Sequence, residues 1–259
     1  MKRSLTFALL ILFCATSSFA QLNKVKINPK IIDAGTKAVQ AFTISDEEIA
    51  AYCQEYVDWM DANNPVCSVT DQDPGMRAVA ERLAKLVEGR EVENGVKLDI
   101  KAYYVVDQNA FACANGSIRV FAGLMEIMTD DEILGVVGHE IGHIINKDSK
   151  DAFKQALLTS ALKDAVGATS GTAAALTSSQ LGELGEALAS AQYSQKQEYA
   201  ADEYGYNFLK KCNKDPNAMA SALRVIQGLY DSSGGGVVKA LFSSHPDSGK
   251  RAERLDKMK

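Results

Sequence analysis

Apolar positions after Thr129-Asp130-Asp131-Glu132, namely Ile133, Leu134, Val136, Val137, Ile141, Ile144 and Ile145, fall on nearly every side of a helical wheel. That pattern predicts a buried helix, opened by a Thr-x-x-Glu capping box. Gly135, Gly138 and Gly142 interrupt it. Each costs about 1 kcal/mol relative to Ala in a helix interior, so the pattern also predicts a neighbour approaching the backbone closely. Upstream, Ser45 and Glu48 form a second capping box, ahead of a helix that runs towards Asn63-Asn64-Pro65 and carries Trp59 as a core residue. A further helix starts near Pro74, with Met76, Val79, Leu83 and Leu86 at helical spacing.

Residues 96–123 change texture to strand: Leu98, Ile100, Tyr103, Val105 and Val106, then a second run over 110–121 in which Asn115-Gly116 reads as a two-residue hairpin turn or a plain connection. Over residues 165–180, thirteen of sixteen are Ala, Gly, Ser or Thr, too few large side chains for a core and suited to a hinge or a mobile helical hairpin. Helices are expected again over 194–211 and 217–230, then a Ser-Ser-Gly-Gly-Gly break at 232–236 and a basic C-terminal helix. The reading is an α+β fold, mainly helical, with a small sheet or hairpin beside the buried helix. It is one domain, with a helical part over 21–95 and a core over 96–259.

The first twenty residues read as an export signal: Lys2 and Arg3, an apolar run from Leu5 to Phe13, and Ser18-Phe19-Ala20 before Gln21. The run is too short to span a bilayer. Cys14 raises a lipid anchor, but Phe13 before it is bulkier than a lipoprotein signal peptidase accepts, so cleavage after Ala20 is expected and the product is exported, periplasmic or secreted. The remaining 239 of 259 residues hold 26 basic and 33 acidic side chains, a net charge of −7, and no membrane-spanning segment is expected among them. That balance argues against nucleic acid or an anionic membrane as partner. Four cysteines, Cys53, Cys67, Cys113 and Cys212, can pair in an oxidising compartment. The short loop between Cys53 and Cys67 favours that pair and leaves Cys113 for Cys212. Their spacing does not suit a zinc cluster.

His139-Glu140-Ile141-Gly142-His143 sits inside the buried helix. Spacing of i, i+4 puts both imidazoles on one face, as two ligands of one tetrahedral Zn2+ require, with Glu140 beside them as a general base. The chain has three histidines, two here and one at His245, and two buried without a metal would need other partners for their ring nitrogens. A catalytic metal needs a third protein ligand. Glu198 and Asp202, also i, i+4, offer one, with Asp202 accepting from an imidazole. From spacing alone they read equally well as two solvated surface carboxylates.

Taken together, these residues resemble the gluzincin metallopeptidases of family 48, which include CAAX prenyl endopeptidases and soluble bacterial periplasmic relatives. Four blocks carry the resemblance over about residues 70–259: Asn109-Ala110-Phe111-Ala112; His139 to His143; Glu198 with Ala201-Asp202; and Ser244-His245-Pro246 with Arg251. It implies a zincin-like domain, Glu198 as third ligand of one Zn2+ per chain and Asp202 as its supporting partner. It places His245 in the active site, steadying the oxyanion or filling the open metal position of a latent form, against the plain reading of a turn histidine. Arg251 would pair with an active-site carboxylate or orient that loop. Asn109 to Ala112 would form an edge strand to which an extended substrate adds. Gln195 stands where relatives usually have Arg, and Asp148 where many have His, departures that bear on regulation and substrate range.

The expected activity is hydrolysis of internal peptide bonds in unfolded or extended proteins, as in envelope quality control. Two rivals stand beside it: a zinc-bearing chaperone or assembly factor with a latent peptidase, and a structural protein with an incidental motif and no metal. Oligomeric state is not legible.

Overall fold

The computed structural model describes residues 44–159, 175–233, 241 and 244–258. The first twenty residues, read above as an export signal, the 165–174 part of the small-residue run and the 234–236 part of the Gly-rich break lie outside those residues. Helix α1 (Asp46–Asn63) is opened by the Ser45/Glu48 capping box, both hydrogen bonds present at 3.1 and 2.9 Å. Helix α2 (Pro74–Leu86) has Pro in its first turn and Asp73 capping the Gly75 and Met76 amides, where proline's missing N–H costs nothing.

A small hairpin follows, β1 (Val92–Glu93) and β2 (Val96–Lys97), turning through Asn94 and Gly95, both at positive φ. Strand structure thus begins four residues before the expected boundary. The main sheet holds β3 (Asp99–Tyr103), β4 (Ala110–Ala112) and β5 (Ser117–Phe121) in the order β3-β5-β4, with β3 parallel and β4 antiparallel to β5. Asn115-Gly116 does turn the chain between β4 and β5. Gly116 has φ 92°, and a Cβ there would sit 2.0 Å from the Lys97 carbonyl oxygen, so glycine is the residue that fits.

Central strand β5 is buried throughout, including Arg119. Its guanidinium is matched by both Asp61 oxygens at 2.8 and 2.9 Å and by Asp99 at 2.8 Å. Asp61 also accepts from the Tyr103 hydroxyl at 2.6 Å. A charge in that position is tolerable only because it is paired, and the pairing ties the end of α1 to the sheet.

Short helix α3 (Ala122–Ile127) leads into α4 (Asp130–Ile145), then α5 (Asp148–Thr159), α6 (Ser178–Ser190), α7 (Gln195–Lys211), α8 (Asn217–Ser233) and α9 (Ser248–Leu255). Two apolar clusters result. One gathers α4, α7 and α8 under the sheet; the other gathers α1, α5 and α6 around Tyr52, Tyr56 and Phe153. Trp59, expected in the core, is only partly buried against the second cluster.

The cysteine pairing is corrected here. All four thiols are free. Cys53 and Cys113 lie in the α1/α5/α6 cluster with a hydrogen bond between their thiols, whereas Cys67 lies in the other cluster and Cys212 packs against it. Sequence separation misled because the chain turns after Pro65 and runs along the sheet, Cys67 N–H donating to the Ala102 carbonyl at 2.9 Å. A bridge needs Cα atoms within about 7 Å, which a short loop does not ensure.

Candidate active site

Helix α4 is capped by Thr129 and Glu132 and buried from Glu132 to Ile144. Its glycines meet α7: a Cβ on Gly138 would come within 2.8 Å of the Phe208 ring, and one on Gly142 within 3.0 Å of the Ala201 Cα. From the other side, a Cβ on Gly205 would reach the His139 backbone nitrogen at 3.1 Å. The absence of side chains on both helices lets the backbones close up. Glu198 lies one turn before Ala201 on α7 and Asp202 directly after it, so the same close crossing delivers both carboxylates to the two imidazoles.

His139 Nε2 and His143 Nε2 face each other at 3.0 Å. Glu198 Oε1 is 3.3 Å from His143 Nε2, and its Oε2 is 3.8 Å from His139 Nε2. His245 brings Nδ1 to 3.3 Å from His139 Nε2 and 3.0 Å from Glu198 Oε1. All four side chains are buried. Ligands at about 2.0–2.1 Å from a tetrahedral Zn2+ stand roughly 3.3 Å apart, and these separations bracket that value. The surroundings fit a cation as well: Glu140, Asp148, Glu198 and Asp202 are all buried, with Arg251 as the buried guanidinium among them. Carboxylates in excess need a positive partner.

Each imidazole is held by its other nitrogen. His139 Nδ1 lies 3.0 Å from Asp202 Oδ1, and His143 Nδ1 lies 3.0 Å from Asp148 Oδ2. Arg251 then clamps Asp202 through Nε at 2.9 Å and Nη2 at 2.6 Å, pairs with Glu198, and reaches the His245 and Pro246 carbonyls at 3.4 and 3.5 Å. Both expected roles of Arg251 are therefore met by one side chain.

Burial works against charge on every group here, and the partners decide the outcome. It raises the Glu198 carboxyl, yet the His245 and Arg251 charges bring it well below the usual range. Asp202 is likewise lowered against its burial by Arg251. Burial lowers His139, with Asp202 opposing. Without a cation, His143 is pushed up to about 9, because its bonds to Asp148 and Glu198 outweigh desolvation. The carboxylates around His143 thus favour positive charge at that ring.

Glu140 is buried, with Oε1 at 3.8 Å from His245 Nε2. It opens onto a cavity of about 340 Å³, which Asn109, Ala110, Phe111 and Ala112 also line. Strand β4 is at the edge of its sheet and packs against α4, with no described strand on its outer side. The site residues named from sequence thus gather in one place, joined by Cys113, which lines the same cavity, while Cys53, Cys67 and Cys212 are not among its lining residues.

Two residues were missed. In the sequence Asp148 stands out only as a departure from a pattern; Lys147 before it, at φ 66°, ends the helix and turns Asp148 back onto His143. Tyr193 stacks on the His143 ring with centroids 4.0 Å apart and planes 14° from parallel. Its N–H donates to the Ser244 carbonyl at 3.1 Å, fastening the His245 loop. No spacing rule marks a tyrosine outside the helix, five residues before Glu198, and only the fold identifies it.

Comparison with known proteins agrees with this geometry. The profile described as peptidase family M48 matches residues 72–259. Two similar proteins from Escherichia coli (strain K12) are Metalloprotease LoiP, 34% identical over 87% of this chain and 86% of its own length, and Metalloprotease YcaL, 35% identical over 86% and 85%. A Protease HtpX homolog from Salinibacter ruber is 28% identical over 70% of this chain and 76% of its own length. With its paired histidines and carboxylates convergent in one buried site, the chain belongs to peptidase family M48 and is a metalloprotease.

Proposed function

We propose that this protein is a zinc-dependent endopeptidase acting on extended segments of exported proteins, in the periplasm or outside the cell. The observation that carries the reading is the convergence of His139 Nε2, His143 Nε2 and a Glu198 oxygen at tetrahedral spacing beside the Glu140 carboxylate. His139, His143 and Glu198 would hold the Zn2+. The ion supplies Lewis acidity towards water and the scissile carbonyl.

Every other step belongs to the chain. Glu140 takes a proton from the attacking water and returns it to the leaving amine. Asp202 and Asp148 fix which ring nitrogens of His139 and His143 face inward. The substrate backbone pairs with the free edge of β4, which recognises extended chain with little dependence on side chains away from the cut. That suits clearance of misfolded proteins in the envelope, and the signal-like first twenty residues support export.

A second reading is favoured by His245, whose Nδ1 stands among the three donors where a catalytic site keeps a position open. In this reading the protein is latent as isolated, and it holds clients without cutting them until His245 withdraws.

Metal analysis of the purified protein with casein hydrolysis, beside Glu140→Gln, tests the proposal. One zinc per chain in both proteins and casein cleavage by the wild type alone are expected. Zinc bound with no cleavage by either, and equal protection of a client from aggregation, favours the latent holder.

A further inference from the structure

A second, smaller void lies against the active site. Every residue of its wall is buried, and its volume is about 20 Å³, above the about 10–15 Å³ that one water molecule needs. Val136 on α4, Leu223 and Ile226 on α8, and Leu241 give it apolar sides. A void lined by such groups alone stays dry. Glu140, His245 and Ser248 give this one a polar side.

Ser248 is the unsatisfied member of that wall. Its side chain is buried, and its Oγ has no hydrogen-bond partner among the described residues. It is the first residue of α9, yet the helix does not spend the hydroxyl on a cap: the N-cap residue is Asp247, at φ 62°, with no side-chain cap bond. The next amide, on Gly249, donates to Gln227 Oε1 at 3.2 Å. Leaving a buried hydroxyl unpaired is costly, so one that lines a polar void calls for a small ligand able to donate and accept.

The other two polar groups leave a gap that such a ligand fills. Glu140 Oε1 and His245 Nε2 are 3.8 Å apart, too far for a direct hydrogen bond and a separation that water commonly spans. Three polar groups around one void also match the about three hydrogen bonds of a typical buried water. His245 is fixed by other means, its Nδ1 lying 3.0 Å from Glu198 Oε1 and its N–H donating to the Leu241 carbonyl at 2.9 Å. The Glu140 carboxylate makes no hydrogen bond among the described residues. Glu140 and His245 are the two residues that line both this void and the cavity of about 340 Å³. A water in the void therefore reaches the proton carrier from behind, and the group whose aim depends on it is Glu140.

We propose that the void is a binding site for one water molecule, held by Ser248, and that Ser248 acts through this water to aim the Glu140 carboxylate. The water donates to Glu140 Oε1, while the Ser248 hydroxyl and the His245 ring complete its shell. Ser248 is a positioning residue, since it touches neither substrate nor metal. The kinetic consequence rests on the peptidase reading; occupancy of the void does not.

High-resolution crystal structures of the zinc-loaded wild type and Ser248→Ala, with casein kinetics on the same proteins, test this. Wild-type density should show one water within hydrogen-bond distance of Ser248 Oγ and Glu140 Oε1, and Ser248→Ala should lose it. In Ser248→Ala kcat should fall about tenfold, with KM and zinc content unchanged. The fall should persist when the change is made in His245→Ala, because the water acts on Glu140. Ser248→Thr should keep more of the kcat than Ser248→Val, which has the same shape without the hydroxyl, so that any crowding is common to both. Circular dichroism checks that each variant is folded. A dry void in the wild type, a water retained in Ser248→Ala, an unchanged or raised kcat, or Thr no better than Val overturns the proposal. If none of the zinc-loaded proteins cuts casein, the peptidase reading fails, and the two density maps still decide the water site.

Discussion

The Asp148 carboxylate stands 3.0 Å from Nδ1 of His143, opposite the nitrogen that faces His139 and Glu198. It does for the second imidazole what Asp202 does for the first, and Gln197 steadies it with a bond at 3.0 Å. Replacing Asp148 by Ala should weaken zinc binding by about 10- to 100-fold without unfolding the chain. Competition with a chromophoric chelator measures this, and unchanged affinity would remove Asp148 from the site.

Proton and metal compete at His143. In the metal-free protein its value of about 9 lies above that of the unfolded chain, so its protonation stabilises the fold fully below about 6.5 and the contribution is lost as pH rises through about 9. Metal must displace that proton. Zinc affinity is therefore expected to rise with pH up to about 9, with proton release visible by calorimetry in buffers of different ionisation enthalpy. A pH-independent affinity between 7 and 9 would contradict it.

His245 separates two roles by the sign of one change. If its Nδ1 fills the position that substrate must use, His245→Ala raises casein turnover; if it steadies the oxyanion, the same change lowers turnover by about 10²-fold or more. The 3.0 and 3.3 Å approaches to Glu198 and His139 make the increase the expected result. Zinc content of the variant should stay at one per chain in either case.

Close helix crossing makes a stability prediction with an internal contrast. Gly138→Ala forces a Cβ to within 2.8 Å of Phe208 and 3.1 Å of the Gly205 Cα, and should cost about 1–3 kcal/mol. Gly182→Ala meets nothing and should stabilise by about 0.4–1 kcal/mol. Thermal unfolding of the two variants should move in opposite directions. Equal shifts would mean that the α4–α7 contact is looser than described.

Much of this was legible because it is written in local periodicity. Capping boxes at Ser45 and Thr129, each with both of its hydrogen bonds formed, start helices where expected, a helix begins as expected after Ser194, and the i, i+4 pairs on α4 and α7 carry their own geometry. The glycines of α4 announced a close neighbour. What the sequence withheld depends on contacts between distant segments. Cys53 meets Cys113 rather than Cys67 because β4 folds back onto α1 and α5. Trp59 borders a cavity because α6 leaves room beside it, and Tyr193 reaches His143 only through the path of the loop before α7. Helix α6 itself was hidden by its small residues, whose value is the space they leave.

Arg251 is the last of the site's residues in chain order, and it neutralises Asp202 while pairing with Glu198. A growing or truncated polypeptide that stops short of it carries both imidazoles and both carboxylates but leaves the latter in mutual repulsion. Neutralisation of the two α7 carboxylates therefore depends on the docking of α9, the helix farthest along the chain from the paired imidazoles that they support.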